Sequence, residues 1–259
     1  MNHILKKSLI AVSSIFGFWL VASMLLASQA SALVFNNQVS WSPIPNYGYK
    51  QEFFRLNGNA NNIAVWSFVA KQPTDEYVIY LHGNAGKIQS FFPEITKKAN
   101  VIAPAYPGYH ESEGSPSVDN VYATALATFD WMTTTKNIPA NKITILGHSM
   151  GGSPATYLAS QRPAKKLILV NTFSSVQSMC FSSYSIFCAF TGGVFNSAKN
   201  AVNVSIPVRQ FAYVGDKTVP FEEGKKLYEY FKSSSDKQFI ELYGQTHSTV
   251  NFEAILKEI

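Results

Sequence analysis

The sequence predicts an α/β protein with a mostly parallel central sheet. Short apolar runs rich in β-branched residues alternate with longer segments of helical periodicity along most of the 259 residues. Because the runs are apolar at nearly every position, they are typical of strands that helices cover on both faces. One segment rich in Ser, Phe, Gly and Asn, residues 172–205, interrupts this alternation. We therefore expect one domain over residues 33–259 with a small aromatic-rich cap insertion.

The strands are predicted at the short apolar runs. The first two should pair antiparallel at the leading edge of the sheet, because the second alternates less regularly than the later runs. The expected strands are Glu52–Leu56, Ile63–Val69, Tyr77–Leu81, Val101–Ala103, Ile143–Leu146, Leu167–Val170, Val208–Val214 and Phe239–Leu242. Four longer periodic segments predict helices between them: Val121–Thr133, Met150–Ser160, Glu222–Phe231 and Val250–Ile259.

The cap insertion is predicted from its length and its aromatic content. A segment this long between two strands usually has a functional reason, and a lid over a site is one such reason. Six aromatic side chains would give it an apolar underside: Phe173, Phe181, Tyr184, Phe187, Phe190 and Phe195. A small aromatic core without substrate contact is the alternative.

The N-terminus has the pattern of an export signal. A basic pair, Lys6 and Lys7, precedes the uncharged residues 8–28, which are rich in Ile, Leu, Val, Phe and Ala. Ala30 and Ala32 then occupy the small-residue positions that a signal peptidase recognises.

A signal peptide over residues 1–32 follows from this pattern, with cleavage after Ala32 and a domain exported to the periplasm or secreted. An uncleaved membrane anchor is the alternative, because about 20 apolar residues suffice to span a bilayer. In either case the domain is expected outside the cytosol.

The charge of the chain does not predict a nucleic-acid partner. The formal net charge is +5, from 21 Lys and Arg against 16 Asp and Glu, but the basic residues are dispersed singly or in pairs. Removal of the leader, which holds two lysines and no acidic residue, lowers the charge to +3. We expect no nucleic-acid partner, and membrane contact only if the N-terminal segment is retained as an anchor.

Two cysteines, Cys180 and Cys188, lie in the cap insertion with seven residues between them. In an oxidising compartment a disulfide between them is one expectation. Two unpaired thiols are the other, since spacing alone does not give the Cα separation that a disulfide needs. Neither cysteine has the Cys/His spacing of a metal site, and we expect no metal and no cofactor.

The strongest motif is Gly147-His148-Ser149-Met150-Gly151. It lies directly after a predicted strand and directly before a predicted helix, which is the context of a nucleophile elbow. The flanking glycines allow a sharp strand-to-helix turn to close around the serine. Ser149 is therefore the candidate nucleophile, at the edge of the sheet where ligands bind in open α/β folds.

A serine nucleophile needs a base, and the base needs a carboxylate that orients it. His247, between the last predicted strand and the last predicted helix, is the candidate base, and His110 is the other available loop histidine. Asp216 follows a predicted strand and is the candidate acid, whereas Asp236 lies in a Ser-rich solvated turn. The predicted triad is Ser149, Asp216 and His247.

An earlier loop supplies donors for a developing oxyanion. Asn84 follows a His-Gly pair at the end of a predicted strand, where glycine allows the backbone to approach a substrate. We assign the backbone N–H groups of Asn84 and Met150 to an oxyanion hole. Three candidate substrate contacts complete the predicted site: His82, His148 and Phe173.

Six short motifs occur together between about residue 51 and the C-terminus. They are His82–Gly86, Tyr106–Tyr109, Ser112–Ser117, Gly147–Gly152, Val214–Pro220 and Thr246-His247. This combination resembles the α/β-hydrolase superfamily, specifically its Bem46-like serine hydrolases. The resemblance implies an α/β-hydrolase fold, with Ser149 as nucleophile, Asp216 as acid and His247 as base, in the chain order typical of the superfamily. Ala105 departs from the pattern, since relatives usually have aspartate there; this weakens inference of the substrate by analogy but does not affect the triad.

Together these observations predict an exported serine hydrolase that cleaves small-molecule or lipid-like carboxylic esters or thioesters through an acyl-enzyme. A peptidase or an acyltransferase on the same fold is one alternative. A non-catalytic binding protein on this scaffold is another, because fold alone does not give activity. Phosphate binding by Gly147–Gly152 is excluded, because the Lys-Ser/Thr ending of a P-loop is absent.

Overall fold

The structure of the protein is a computed structural model. It describes residues 12–25, 34–35, 50–55, 62–84, 91–184, 194–234, 236–244, 246–247 and 249–259. The strands are β1 (Lys50–Arg55), β2 (Asn62–Phe68), β3 (Tyr77–Leu81), β4 (Asn100–Pro104), β5 (Ile143–His148), β6 (Lys166–Val170), β7 (Val208–Tyr213) and β8 (Lys237–Leu242). Both ends of each strand lie within about two residues of the predicted ends. Leu56, the predicted end of the first strand, lies outside the described residues.

The strands form one eight-stranded sheet in the order β1-β2-β4-β3-β5-β6-β7-β8. The β1–β2 and β2–β4 pairs are antiparallel, as predicted for the leading edge, and the other pairs are parallel. In the middle of the sheet Ile145 of β5 pairs with Ile79 of β3 and with Leu167 of β6, and all three are fully buried. The predicted α/β class with a mostly parallel sheet is confirmed.

Seven α-helices lie beyond residue 50 in the described part of the chain. They are α1 (Phe92–Ile95), α2 (Val118–Thr134), α3 (Gly152–Gln161), α4 (Val176–Tyr184), α5 (Ser197–Ala201), α6 (Phe221–Glu229) and α7 (Phe252–Leu256). The sequence predicts α2, α3, α6 and α7. It misses α1 and α5, which are too short to show a helical period, and the Ser-rich α4.

The longest of these helices, α2, shows why the periodic segments fold as they do. Ser117 caps its N-terminus by accepting a hydrogen bond from the Asn120 N–H at 3.1 Å. Val121, Ala125 and Phe129 recur at intervals of four residues and are buried. Such spacing places them on one stripe of the helix, which packs against the core.

The described part of the predicted cap comprises residues 172–184 and 194–205, including α4 and α5. A bridge between Ser175 and Asn196 closes its base. Phe195 is fully buried and packs edge-on against Tyr122 of α2, with ring centroids 6.0 Å apart. This aromatic side chain therefore joins the core of the domain. Phe187 and Phe190 lie outside the described residues.

Cys180 of α4 is disulfide-bonded. Cys188, the other cysteine of the sequence, lies outside the described residues. Cys180 belongs to the Ser-rich helix α4, whose Val176 and Met179 are partly buried against the core.

Residues 12–25, within the predicted leader, are helical. Several of their apolar side chains are exposed, among them Ile15 and Phe18, at 69% and 71% of their full surface. Among the described residues, no helix combines the length and the apolar character needed to cross a membrane. Ala30 and Ala32, the predicted cleavage positions, lie outside the described residues.

Candidate active site

The Gly-x-Ser-x-Gly motif forms a sharp turn between β5 and α3. Ser149 begins one turn of 3-10 helix and has φ of 54°, a left-handed conformation that few non-glycine residues adopt. A Cβ on Gly151 would overlap the Leu81 carbonyl group, and a Cβ on Gly147 would lie 2.6 Å from the Gly151 carbonyl oxygen. Both glycines are therefore needed for the turn to close, and the strain at Ser149, of order 1–3 kcal/mol, is held by the surrounding packing.

The structure brings the three predicted triad residues together at the carboxyl edge of the sheet. His247 Nε2 lies 2.9 Å from Ser149 Oγ, and His247 Nδ1 lies 2.7 Å from Asp216 Oδ2. These contacts join His247 to residues that lie 98 and 31 positions earlier in the chain. This arrangement has the nucleophile, base and orienting carboxylate in hydrogen-bond reach of one another, the geometry that serine-based acyl transfer requires.

Asp216 is held as an ionised acceptor. Burial opposes its ionisation, but the hydrogen bond from His247 and those from the Val219 and Thr218 N–H groups outweigh burial and lower its pKa. The two backbone bonds reach Oδ1 at 3.0 and 2.8 Å, which leaves Oδ2 for the imidazole. Because an ionised carboxylate only accepts, Nδ1 of His247 carries the proton and Nε2 is free to accept one from Ser149.

The predicted oxyanion-hole residues flank the nucleophile. Met150 directly follows Ser149 and is buried in the elbow turn. A Cβ on Gly83 would lie 3.2 Å from the Ser149 Cβ, so the loop that leads into Asn84 packs directly against the nucleophile. The Asn84 side chain accepts a hydrogen bond from the Tyr109 hydroxyl at 2.9 Å. The assignment of the Asn84 and Met150 N–H groups to an oxyanion remains a prediction.

His82, a candidate substrate contact, is fully buried. Its ring packs against Tyr106 and Tyr109, with centroids 4.2 and 5.3 Å away, and its Nδ1 lies 2.8 Å from the Gly83 carbonyl oxygen. Burial lowers its pKa to about 3, so the imidazole is neutral near pH 7. The structure thus places His82 beneath the oxyanion loop, and substrate contact by this residue stays a prediction.

His148 and Phe173 are the other two candidate substrate contacts. His148 Nε2 lies 3.1 Å from the His247 carbonyl oxygen, so its side chain supports the loop of the candidate base. Burial and the neighbouring His247 lower the pKa of His148 to about 4. Phe173 is 5% exposed and belongs to the core. Direct contact of either residue with a substrate is untested.

Tyr109 is a site residue that the sequence analysis does not single out. Its hydroxyl is bonded to Asn84, although 25 residues separate the two. The only signal in the sequence is its place in the Tyr106–Tyr109 motif, and nothing in that motif shows which loop it contacts. Within the described residues, no group of three or more His, Cys, Asp or Glu is arranged to hold a metal ion.

The fold and the site define a class of α/β proteins that present a serine on a strand-to-helix turn to a histidine and an aspartate. A family model, described as the alpha/beta hydrolase fold, matches residues 76–216, more than half of the chain. The chain therefore belongs to the α/β-hydrolase family. The matched range includes Ser149 and Asp216.

Curated relatives carry related names. The chain is 29% identical over 192 residues to a lysophosphatidylserine lipase, ABHD12, of Danio rerio, a match that covers 64% of this chain and 50% of the relative. It is 27% identical over 187 residues to the alpha/beta hydrolase domain-containing protein aho-3 of Caenorhabditis elegans, covering 70% of this chain and 55% of the relative. The chain thus spans about half the length of these curated relatives.

Solved structures share the fold. An alpha-beta hydrolase from Vibrio vulnificus superposes with a TM-score of 0.69 at 20% identity, over 83% of this chain and 82% of that one. The esterase Pf2001 of Pyrococcus furiosus superposes with a TM-score of 0.66 at 18% identity, over 84% of this chain and 90% of that one. At such identities the likeness establishes the fold alone.

Proposed function

We propose that the protein is an exported serine hydrolase that cleaves carboxylic esters or thioesters through an acyl-enzyme. One observation carries the proposal: Ser149 Oγ, His247 and Asp216 form a continuous hydrogen-bonded series with distances of 2.9 and 2.7 Å. Such a series activates a hydroxyl that is otherwise a weak nucleophile near neutral pH. The presence of all three groups in bonding distance disfavours a purely non-catalytic role for the scaffold.

In the first half of the reaction, Ser149 Oγ attacks the carbonyl carbon while His247 Nε2 takes the hydroxyl proton. Negative charge develops on the former carbonyl oxygen, where the Asn84 and Met150 N–H groups are assigned as donors. His247 then gives the proton to the leaving oxygen or sulfur, and the bond from the acyl carbon to that atom breaks. The acyl group remains esterified to Ser149.

In the second half, water replaces the leaving group. His247 Nε2 takes a proton from the water as its oxygen attacks the acyl carbon, and returns it to Ser149 Oγ as the serine leaves. The products are the free acid and the regenerated enzyme. Asp216 accepts the Nδ1–H bond throughout and stabilises the imidazolium form of His247 in each transition state.

The substrate class rests on the relatives and on the apolar surroundings of the site. One relative is named a lysophosphatidylserine lipase and one structural neighbour is named an esterase. Phe91 packs against His148 next to the base, with ring centroids 4.9 Å apart, and Phe252 packs on Phe91. These features favour esters with an apolar acyl chain over peptides.

The test is covalent labelling with a fluorophosphonate probe. Wild-type protein should be labelled and Ser149→Ala should not, because the probe reacts with an activated serine. Ser160→Ala is the matched control, since the Ser160 hydroxyl bonds two residues of its own helix α3: it donates to the Tyr157 carbonyl oxygen at 2.7 Å and accepts from Gln161 Nε2 at 3.1 Å. This variant should be labelled like the wild type. Equal labelling of Ser149→Ala and the wild type would refute the assignment of the nucleophile.

A substrate series then separates the reaction classes. Purified protein is assayed with p-nitrophenyl esters of increasing chain length, an acyl thioester, a lysophospholipid and a p-nitroanilide, with and without an alcohol acceptor. We expect turnover of the esters, the thioester or both. Faster turnover of the anilide would favour a peptidase, and product formed only with the acceptor would favour an acyltransferase.

Export is proposed from the N-terminal pattern. The basic pair before an apolar segment, the helical conformation of residues 12–25 and the Ala-x-Ala positions support a signal peptide over residues 1–32. N-terminal sequencing of the protein from the exported fraction should begin at Leu33. An intact Met1 in the membrane fraction would contradict cleavage and favour an anchor.

A further inference from the structure

The two residues that follow β6, Asn171 and Thr172, touch all three segments that carry the predicted triad. The Asn171 carboxamide donates from Nδ2 to the His247 carbonyl oxygen at 3.3 Å and accepts on Oδ1 from the Tyr213 N–H at 3.1 Å. The Thr172 hydroxyl donates to the Ser149 carbonyl oxygen at 2.8 Å. Tyr213 ends β7, three residues before Asp216.

The backbone at this point suits the contacts. Asn171 has φ of 49°, in the left-handed region that asparagine adopts more readily than most other non-glycine residues. Its N–H still bonds the Phe211 carbonyl at 3.0 Å, so the turn begins while β6 is still paired with β7. Asn171 and Thr172 are 2% and 1% exposed, which keeps water from competing for their hydrogen bonds.

Asparagine also has the right chemistry for a bridge between two backbones. Its side chain offers an acceptor to the Tyr213 N–H and a donor to the His247 carbonyl at the same time, which neither aspartate nor leucine does. The His247 carbonyl has a second neighbour, because His148 Nε2 lies 3.1 Å away. Since a carbonyl oxygen only accepts, His148 must donate from Nε2, and two donors therefore hold the backbone of the candidate base.

The Thr172 contact is equally close to the nucleophile. A Cβ on Gly152 would overlap Thr172, so its side chain fills the space directly beneath the elbow turn. The bond to the Ser149 carbonyl holds the one residue of the elbow whose backbone is in a left-handed conformation. Thr172 thus supports the strained turn from the neighbouring strand.

We propose that Asn171 and Thr172 are positioning residues that hold Ser149, Asp216 and His247 in register. The proposal rests on the proposed function for its kinetic consequence, since misplacement of a reacting group by about 1 Å can cost up to 100-fold in rate. Neither residue touches the reacting atoms. They act on the backbone from which the reacting side chains project.

Three variants test this. Asn171→Gly accepts the left-handed backbone and removes the carboxamide, and we expect kcat to fall by about 10- to 100-fold with KM changed less than about threefold. Thr172→Val keeps the shape and removes the hydroxyl, and we expect a smaller fall in kcat that Thr172→Ser largely restores. All rates are divided by the concentration of active sites titrated with the fluorophosphonate, so that misfolded protein does not count.

Thr144→Val is the matched control. Thr144 is 1% exposed on β5, and its hydroxyl has no hydrogen-bond partner among the described residues. Its kcat and KM should equal those of the wild type. If kcat per titrated site in both Asn171→Gly and Thr172→Val stays within twofold of the wild type, the proposal is overturned.

A measurement without turnover separates this proposal from the proposed function. The imidazole ¹⁵N and ¹H resonances of His247, assigned with a His247→Gln variant, should show one tautomer with the proton on Nδ1 in the wild type. Asn171→Gly should shift or broaden them, and Thr144→Val should not. If the wild type shows these resonance shifts but is neither labelled by the fluorophosphonate nor active, the proposed function is refuted and the positioning role is kept. If the His247 resonances of Asn171→Gly are the same as in the wild type, the positioning role is refuted.

Discussion

The amino and carboxyl ends of the parallel strands carry polar groups of contrasting kinds. At the amino ends, Arg209 of β7 donates from Nε to Glu258 Oε2 at 2.9 Å and from Nη1 to Asp236 Oδ1 at 2.9 Å. Lys166, which begins β6, donates to the same Glu258 oxygen at 2.9 Å. Opposite charges meet here, and they connect the C-terminal tail to the sheet.

At the carboxyl ends the contacts are mainly hydrogen bonds around neutral or singly charged groups. His82 and His148 are buried and neutral near pH 7, and Asn171 bridges two backbones with an uncharged side chain. Asp216 is ionised, and its acceptors are occupied by two N–H groups and one imidazole. This environment leaves the Ser149 and His247 atoms available to exchange a proton.

The contrast indicates that the amino and carboxyl ends of the parallel strands have different roles. Full charges at the amino ends lower the pKa of Glu258, because Lys166 and Arg209 outweigh the opposing effect of burial. Such full charges would shift the pKa values of the triad groups if they lay beside them. We therefore expect substitutions at the carboxyl ends to change rate, and those at the amino ends to change stability.

The largest expected effect comes from Asp216→Asn. The variant keeps the size of the side chain, but the amide no longer holds the proton on Nδ1 of His247, and kcat should fall by about 10⁴-fold. The Oδ1 acceptor for the Thr218 and Val219 N–H groups can remain, so the free energy of unfolding should fall by no more than about 1–2 kcal/mol, the cost of turning charge-assisted hydrogen bonds into neutral ones. A fall in kcat of less than tenfold would contradict the role of Asp216 and blur the distinction between the two strand ends.

The strand prediction succeeds because it depends on local information. Parallel strands buried on both faces are apolar at nearly every position, and the run Tyr77–Leu81 has the same bounds in the structure. The three triad candidates can be predicted from local sequence because each follows a predicted strand. Helix α1 was missed, since four residues are about one turn and show no period.

The remaining contacts depend on distances in sequence that no local pattern encodes. Asn171 lies at a strand end that resembles any loop start, yet it bonds residues 42 and 76 positions away. Glu258 reaches Lys166 across 92 positions. The sequence therefore predicts candidate catalytic residues but not the long-range contacts that their segments make.

A second, smaller effect concerns stability at low pH. His82 and His148 have pKa values of about 3 and 4, lowered by burial, whereas the unfolded value is about 6.5. Between these values the unfolded chain binds more protons, so stability that is fully present above pH 6.5 is lost as the pH falls. Each histidine contributes a slope of up to about 1.4 kcal/mol per pH unit in this window.

Urea unfolding at pH 7, 6 and 5 measures this slope. His82→Phe keeps a ring against Tyr106 and removes one titrating group. The slope of its unfolding free energy against pH should therefore be lower by the contribution of one proton, up to about 1.4 kcal/mol per pH unit, whatever its stability at pH 7. Glu258→Gln, at the other end of the sheet, should leave the slope above pH 5 unchanged, because the lowered pKa of that carboxyl acts only below its unfolded value. A wild-type slope near zero between pH 7 and 5 would show that the carboxyl end holds no such histidines.

The smallest expected effect compares two glutamates near the end of the chain. The Glu258 side chain is 22% exposed and accepts from both Lys166 and Arg209, whereas the Glu253 side chain is 84% exposed and pairs with Lys257 at 3.4 Å. Glu258→Gln should lower the free energy of unfolding by about 1–2 kcal/mol, because two charge-assisted hydrogen bonds are weakened. Glu253→Gln should lower it by less than about 0.5 kcal/mol, because water screens an exposed pair.

The same two variants decide whether the amino ends act on stability alone. Glu258 lies beyond α7, and α7 follows the loop that carries His247. Movement of the C-terminal tail would therefore act on the candidate base through α7. That loop also has its own bonds, including Thr246 N–H to Thr249 Oγ1 at 2.7 Å. We therefore expect kcat per titrated site in Glu258→Gln to stay within about twofold of the value for Glu253→Gln, measured at pH 7 on folded protein. A larger fall in kcat would mean that the ion pairs of Glu258 affect the site through α7. The amino ends of the strands would then influence rate as well as stability.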